Sequence, residues 1–143
     1  MGLDLQIHHI GYAVKDIDKA IDSFVFLGYS ITEITDDVAR NVRIVFAEKD
    51  GYCVELISPL HSEKASPIDT ILKKNGPIPY HICYAVDNIQ NACALLKKEH
   101  YHMISEISPA PAISGRNVVF LYNATIGIIE LVEKSTQNYQ TEK

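Results

Sequence analysis

The sequence predicts an α+β domain built from two tandem β-α-β-β-β modules, and three observations carry that expectation. The segment His9-Ile10-Gly11-Tyr12-Ala13-Val14-Lys15-Asp16-Ile17-Asp18-Lys19-Ala20 recurs as His81-Ile82-Cys83-Tyr84-Ala85-Val86-Asp87-Asn88-Ile89-Gln90-Asn91-Ala92, with seven identities in twelve positions. Both copies read as an apolar strand running into a helix. Each copy later reaches an apolar strand with a single carboxylate, Cys53-Val54-Glu55-Leu56-Ile57 and Ile128-Ile129-Glu130-Leu131-Val132.

The elements follow in order. Residues 7–14 are apolar and β-branched, a strand. Asp16 then caps a helix to about Phe26, with Ile17, Ala20, Ile21 and Phe24 on one face and Gly28 as its stop. Residues 29–35 resume as a strand. Residues 42–47 and 52–57 form a hairpin around Lys49-Asp50-Gly51, because Asp-Gly suits the left-handed turn residues that hairpins favour. Four prolines, Pro59, Pro67, Pro77 and Pro79, bracket a short linker helix over 66–74. The second module repeats the order: strand 81–86, helix 88–99, strand 103–107, and hairpin strands 117–122 and 127–133. A single domain is expected over 1–143, with module 1 at about 5–60, a linker at 61–79, module 2 at about 80–134 and a polar tail at 135–143, the tail expected to fray.

Composition limits the function. At 143 residues the chain can bury a proper core without staples. A net charge of −5 argues against nucleic-acid binding, which calls for a basic stripe. No run of about 18 apolar residues is present to span a bilayer. The first residues lack the basic-then-apolar pattern of a secretory signal, and Gln6 stands where a myristoylation motif needs Ser or Thr. Three cysteines, Cys53, Cys83 and Cys93, lie in apolar patterns and suit reduced thiols, so the expected location is cytoplasmic.

Strand parity picks out the candidate site. Alternation places His9, Gly11 and Ala13 on one face and Ile10, Tyr12 and Val14 on the other. The second copy divides in the same way, and Glu55 and Glu130 oppose their apolar neighbours. A carboxylate on an apolar strand is costly to bury unless paired, hydrogen-bonded or metal-bound. His9, Glu55, His81 and Glu130 are therefore the expected metal ligands. This nitrogen–oxygen set suits one divalent ion such as Zn, Co, Mn, Ni or Fe, with positions left open for substrate. His8 is expected on the opposite face. His61, His100, His102, Lys73, Lys74, Lys97 and Lys98 are expected at the surface, and Cys83 as an inert buried thiol.

Three stretches carry a family resemblance: His8-His9-Ile10-Gly11-Tyr12-Ala13-Val14-Lys15-Asp16; Glu55-Leu56-Ile57-Ser58-Pro59 with Ser66-Pro67-Ile68; and Tyr80-His81-Ile82-Cys83-Tyr84-Ala85-Val86-Asp87-Asn88-Ile89, closed by Glu130-Leu131. In these the chain resembles the vicinal oxygen chelate superfamily (glyoxalases, bleomycin resistance proteins and dioxygenases), and within it the methylmalonyl-CoA epimerases. The resemblance implies curled mixed sheets enclosing a metal-binding cleft. It also implies a homodimer whose small-molecule substrate is an acyl-CoA thioester, deprotonated next to its carbonyl through a metal-stabilised enolate. Glu130 is then both ligand and catalytic base. Epimerisation wants a second acid/base; Asp36, Asp37 and Glu48 are the candidates, read first as loop or turn residues. Where one type of epimerase has a second catalytic Glu, this chain has Ile44. Alternatives are a glyoxalase I-like lyase acting on a glutathione adduct and a non-catalytic small-molecule binding or resistance protein. A ring-cleaving dioxygenase is disfavoured by Glu55 as a fourth ligand.

Overall fold

The computed structural model describes residues 2–135, so most of the polar tail lies outside the described residues. The fold is α+β, with ten strands, three α-helices and one 3-10 turn among the described residues. By packing they divide into two compact units, one of residues 9–82 and one of residues 2–8 with 83–135.

The unit of residues 9–82 contains most of β1 (Gln6–Ala13), then α1 (Ile17–Phe26), β2 (Ser30–Ile31), β3 (Thr35–Asp37), β4 (Val42–Lys49), β5 (Tyr52–Pro59), α2 (Asp69–Asn75) and the start of β6 (Ile78–Val86). Its strands are ordered β2-β4-β5-β1, with β3 also pairing with β4; β1 and β5 are parallel and β4 and β5 antiparallel. Asp16 caps α1 by accepting from the Lys19 amide at 3.1 Å, and such a cap contributes about 1 kcal/mol. The helix covers one face of the sheet, where Val45, Ala47, Val54 and Leu56 pack with Val14 and Ile17. A buried Leu or Val side chain contributes about 1.5–3 kcal/mol. Glu55 lies between Val54 and Leu56, so its carboxylate is on the opposite face, as the alternation predicts. The β4–β5 turn uses Asp50 and Gly51 at φ 53° and 82°, the two left-handed positions of a tight hairpin.

The second unit contains the end of β6, then α3 (Ile89–Lys98), β7 (His102–Met103), β8 (Ser108–Ala110), the 3-10 turn Pro111–Ile113, β9 (Arg116–Asn123) and β10 (Gly127–Glu133). The order is β6-β10-β9-β7, with β8 also on β9. Asn88 caps α3 through the Asn91 amide at 2.9 Å, matching Asp16 in the repeat. Ile89, Cys93 and Leu96 pack with Val119, Leu121 and Leu131.

Two expected strands are each broken in the same way. Residues 29–35 become β2 and β3, and residues 103–107 become β7 and β8. A hydroxyl causes both interruptions. The Phe46 amide donates to Thr32 Oγ1 at 3.0 Å, and the Phe120 amide donates to Ser105 Oγ at 2.9 Å. A side-chain oxygen thus takes the acceptor role that a backbone carbonyl has in a ladder. The linker helix starts at Asp69 rather than Ser66, because the Asp69 carboxylate accepts the Ser66 amide at 2.8 Å and shapes the entry turn.

Asn41 ties the linker to the first sheet. It is buried at φ 55°, its Nδ2 donates to the carbonyls of His61, Lys64 and Ala65, and its Oδ1 accepts the His61 amide at 2.9 Å. Asn41→Gly keeps the backbone conformation while removing these bonds. Urea unfolding is expected to register a loss of about 1–3 kcal/mol; an unchanged midpoint would show that the amide does not hold the linker.

Candidate metal centre

The unit of residues 9–82 brings together three of the four expected ligands. His9 comes from β1, Glu55 from β5 and His81 from the start of β6, with exposures of only 1%, 3% and 4%. The parallel register sets Gly11 beside Glu55, which places His9 and Glu55 on the face away from α1. His9 Nε2 is 3.4 Å from Glu55 Oε1 and 3.4 Å from His81 Nε2, and His81 Nε2 is 3.9 Å from the same carboxylate oxygen. Aromatic edges frame the group. Phe46 meets His9 at a centroid distance of 5.6 Å, His9 meets His81 at 5.5 Å, and Tyr80 meets His81 at 4.5 Å.

This arrangement fits a cation. Two imidazole nitrogens and an anionic oxygen, buried and facing one another, form a donor group that a cation would satisfy. Ligands about 2.0–2.1 Å from a tetrahedral metal stand roughly 3.3 Å from one another. The observed spacings lie close to that figure. The donor set is mixed nitrogen and oxygen, of the kind a borderline divalent ion takes.

Glu130 belongs to the other unit. It is 3% exposed on β10, between Ile129 and Leu131, which both enter the core beneath α3. Its carboxylate therefore leaves the strand on the face away from that helix. The repeat extends to its neighbour: Glu55 pairs with Phe46 and Glu130 with Phe120. The two phenylalanines were not singled out from the sequence as site residues, although their matched positions in the repeat were the available signal.

The remaining candidates have other roles or stay exposed. Asp36 and Asp37 are β3 residues rather than loop residues. Asp36 is exposed and accepts from Arg43 Nε at 2.8 Å, which holds its carboxyl below the usual value. Asp37 is buried and bound by the Arg40 amide at 3.2 Å and by Nη1 at 2.7 Å, which secures the turn into β4. Glu48 is exposed at the end of β4. His61, His100, His102 and the four helix lysines are exposed, as expected. His8 is half-buried. Cys83 and Cys93 are buried, and burial pushes the Cys93 and Cys53 thiols up.

Paired β-α-β-β-β modules with a buried imidazole–carboxylate group define the vicinal oxygen chelate class. The family model described as the Glyoxalase/Bleomycin resistance protein/Dioxygenase superfamily matches residues 8–120, and the chain belongs to that superfamily. It is 33% identical over 131 residues to the mitochondrial methylmalonyl-CoA epimerase of Mus musculus, covering 88% of this chain and 71% of that one. It is 30% identical over 120 residues to an ethylmalonyl-CoA/methylmalonyl-CoA epimerase of Cereibacter sphaeroides, covering 82% and 87%. The fold is shared with the crystal structure of methylmalonyl-CoA epimerase from Mycobacterium tuberculosis, at a TM-score of 0.79 and 23% identity over 98% of this chain and 97% of that one. The chain is thus an enzyme of the epimerase type, an isomerase. These relatives favour that reading over the glyoxalase I-like lyase and over a binding or resistance protein.

The convergence has a direct test. Metal analysis of purified protein is expected to find about one divalent ion per chain. His9→Ala and His81→Ala should each lose most of it, and His8→Ala should retain it. Equal loss from His8→Ala and His9→Ala would overturn the assignment by strand parity.

Proposed function

We propose that the protein epimerises a methylmalonyl-CoA-like acyl thioester, with His9, Glu55, His81 and Glu130 holding one divalent metal ion. The observation that carries this reading is the approach of His9 Nε2 and His81 Nε2 to the Glu55 carboxylate in a buried, aromatic-framed group. Glu130 completes the set by its match to Glu55 in the repeat, down to the partner phenylalanine. A bound divalent ion supplies Lewis acidity toward neighbouring substrate oxygens. The native ion is of the borderline group Zn, Co, Mn, Ni or Fe.

The chain's own residues then have distinct tasks. His9, His81 and Glu55 fix the donor group. Ala13, Ile44 and Ile57, all buried on strands β1, β4 and β5, extend the Glu55 face with apolar surface that keeps water away. Glu130 is the base: its carboxylate takes the proton from the carbon next to the thioester carbonyl, and the electron pair left behind passes into that carbonyl. Return of a proton to the other side of the carbon gives the epimer. Ile44 pairs with Thr35 and Ile57 and supplies no carboxylate, so the second proton donor comes from elsewhere.

A homodimer in the cytoplasm completes the proposal. Three free cysteines suit a reducing compartment, and the dimer follows from the family resemblance; light scattering that gives the mass of one chain would exclude it.

Glu130→Gln removes the base while keeping a neutral oxygen donor. Deuterium exchange at the α-carbon of methylmalonyl-CoA, followed by NMR, is expected to fall by roughly 10²–10⁴-fold. Glu48→Gln, exposed at the end of β4, should leave exchange nearly intact. Metal-loaded wild-type protein that exchanges no malonyl-type thioester would sink the epimerase reading.

A further inference from the structure

Gly11 lies in the middle of β1, where glycine weakens a strand and where no left-handed conformation calls for it. What it provides is space. A Cβ built on Gly11 would overlap the His81 ring at Cε1, Nδ1 and Nε2, the last at 2.5 Å. The obstruction is a whole imidazole rather than the tip of a flexible side chain. That ring is 4% exposed, and the edges of Tyr80 and His9 stand against it at centroid distances of 4.5 and 5.5 Å. It has little room to retreat.

We propose that Gly11 is a positioning residue whose bare Cα seats the His81 imidazole and aims its Nε2 at the metal group. The inference rests on the metal reading for its functional meaning, though the seat itself is a matter of packing. Register supplies the link: Gly11 is the Cα partner of Glu55, so a ring resting on Gly11 lies beside the Glu55 carboxylate. The resulting spacings are 3.9 Å from His81 Nε2 to Glu55 Oε1 and 3.4 Å to His9 Nε2. Any side chain at position 11 pushes the ring off this line. The second copy of the repeat carries Cys83 at the matched position, so a bare Cα is provided in the first copy alone.

The test separates seating from metal binding. Zinc affinity, measured by chelator competition, is expected to weaken by roughly 10–100-fold in Gly11→Ala, the range for groups that orient a ligand. Cys83→Ala should bind zinc as wild type does. Independently, the melting temperature of metal-free protein is followed for Gly11→Ala in the wild-type and His81→Ala backgrounds. The drop should be large in the first and mostly absent in the second, because removing the ring removes the collision. Equal drops in both backgrounds, or wild-type zinc affinity in Gly11→Ala, would overturn the proposal. Wild-type protein that binds no zinc, cobalt or manganese, with the melting-temperature coupling intact, would refute the metal reading while upholding the seat.

Discussion

The structure is organised around an electrostatic demand: two imidazole nitrogens and a carboxylate oxygen held under 4 Å apart in a buried face. Each of these groups is stable alone in water, and removed from water they must be hydrogen-bonded to one another or share a cation. The surrounding sequence serves this arrangement. Strands β1 and β5 run parallel so that His9 and Glu55 share a face, and the α1 side of the same strands is filled with Val54 and Leu56, so the polar side chains have no alternative orientation. A one-residue slip in either strand would turn His9 or Glu55 into the core beneath α1.

Much of this could be read from the chain itself. The duplicated His-Ile-x-Tyr-Ala-Val segment located the first strand of both modules, and Asp16 caps the first helix as expected, while Asn88, read as the start of the second helix, is its cap. Parity alone gave the facing of Glu55, because alternation in a strand is a geometric rule. The edge strands were less legible. Nothing in the apolar pattern of residues 29–35 or 103–107 says that Thr32 and Ser105 will take over a ladder acceptor, since that choice depends on which strand lies alongside. The same is true of Asp37, which reads as a loop carboxylate until Arg40 closes over it. Phe46 and Phe120 read as ordinary strand residues until the register sets them opposite Glu55 and Glu130.

The size of residue 11 belongs to a third category. Alternation set the small residues Gly11 and Ala13 on the face of His9, but the requirement at position 11 is sharper than smallness. The space beside Gly11 is occupied by one ring, from a strand nearly seventy residues further along the chain. A residue pattern can show that a position is small; only the register shows what the smallness is for.

Duplication supplied a matched His and Glu in each copy, yet the chemistry proposed for them is not symmetric, and the departures from the repeat show where the copies parted. Gly11 faces Cys83 in the alignment, and the Asn41 clamp at φ 55° faces Gly115 at φ 74°. Both turns keep the left-handed conformation, but only Asn41 adds side-chain bonds to the linker. Proton removal and proton return take place on opposite sides of one carbon, so a site equal in both halves gains nothing from its equality. His9, Gly11, Glu55 and His81 lie within one packed unit, which on the proposed mechanism makes them the fixed part of the site. On the proposed division of labour Glu130 of the second copy would be the carboxylate left to exchange a proton, so that Glu55 and Glu130, identical in residue type and strand context, would do different work.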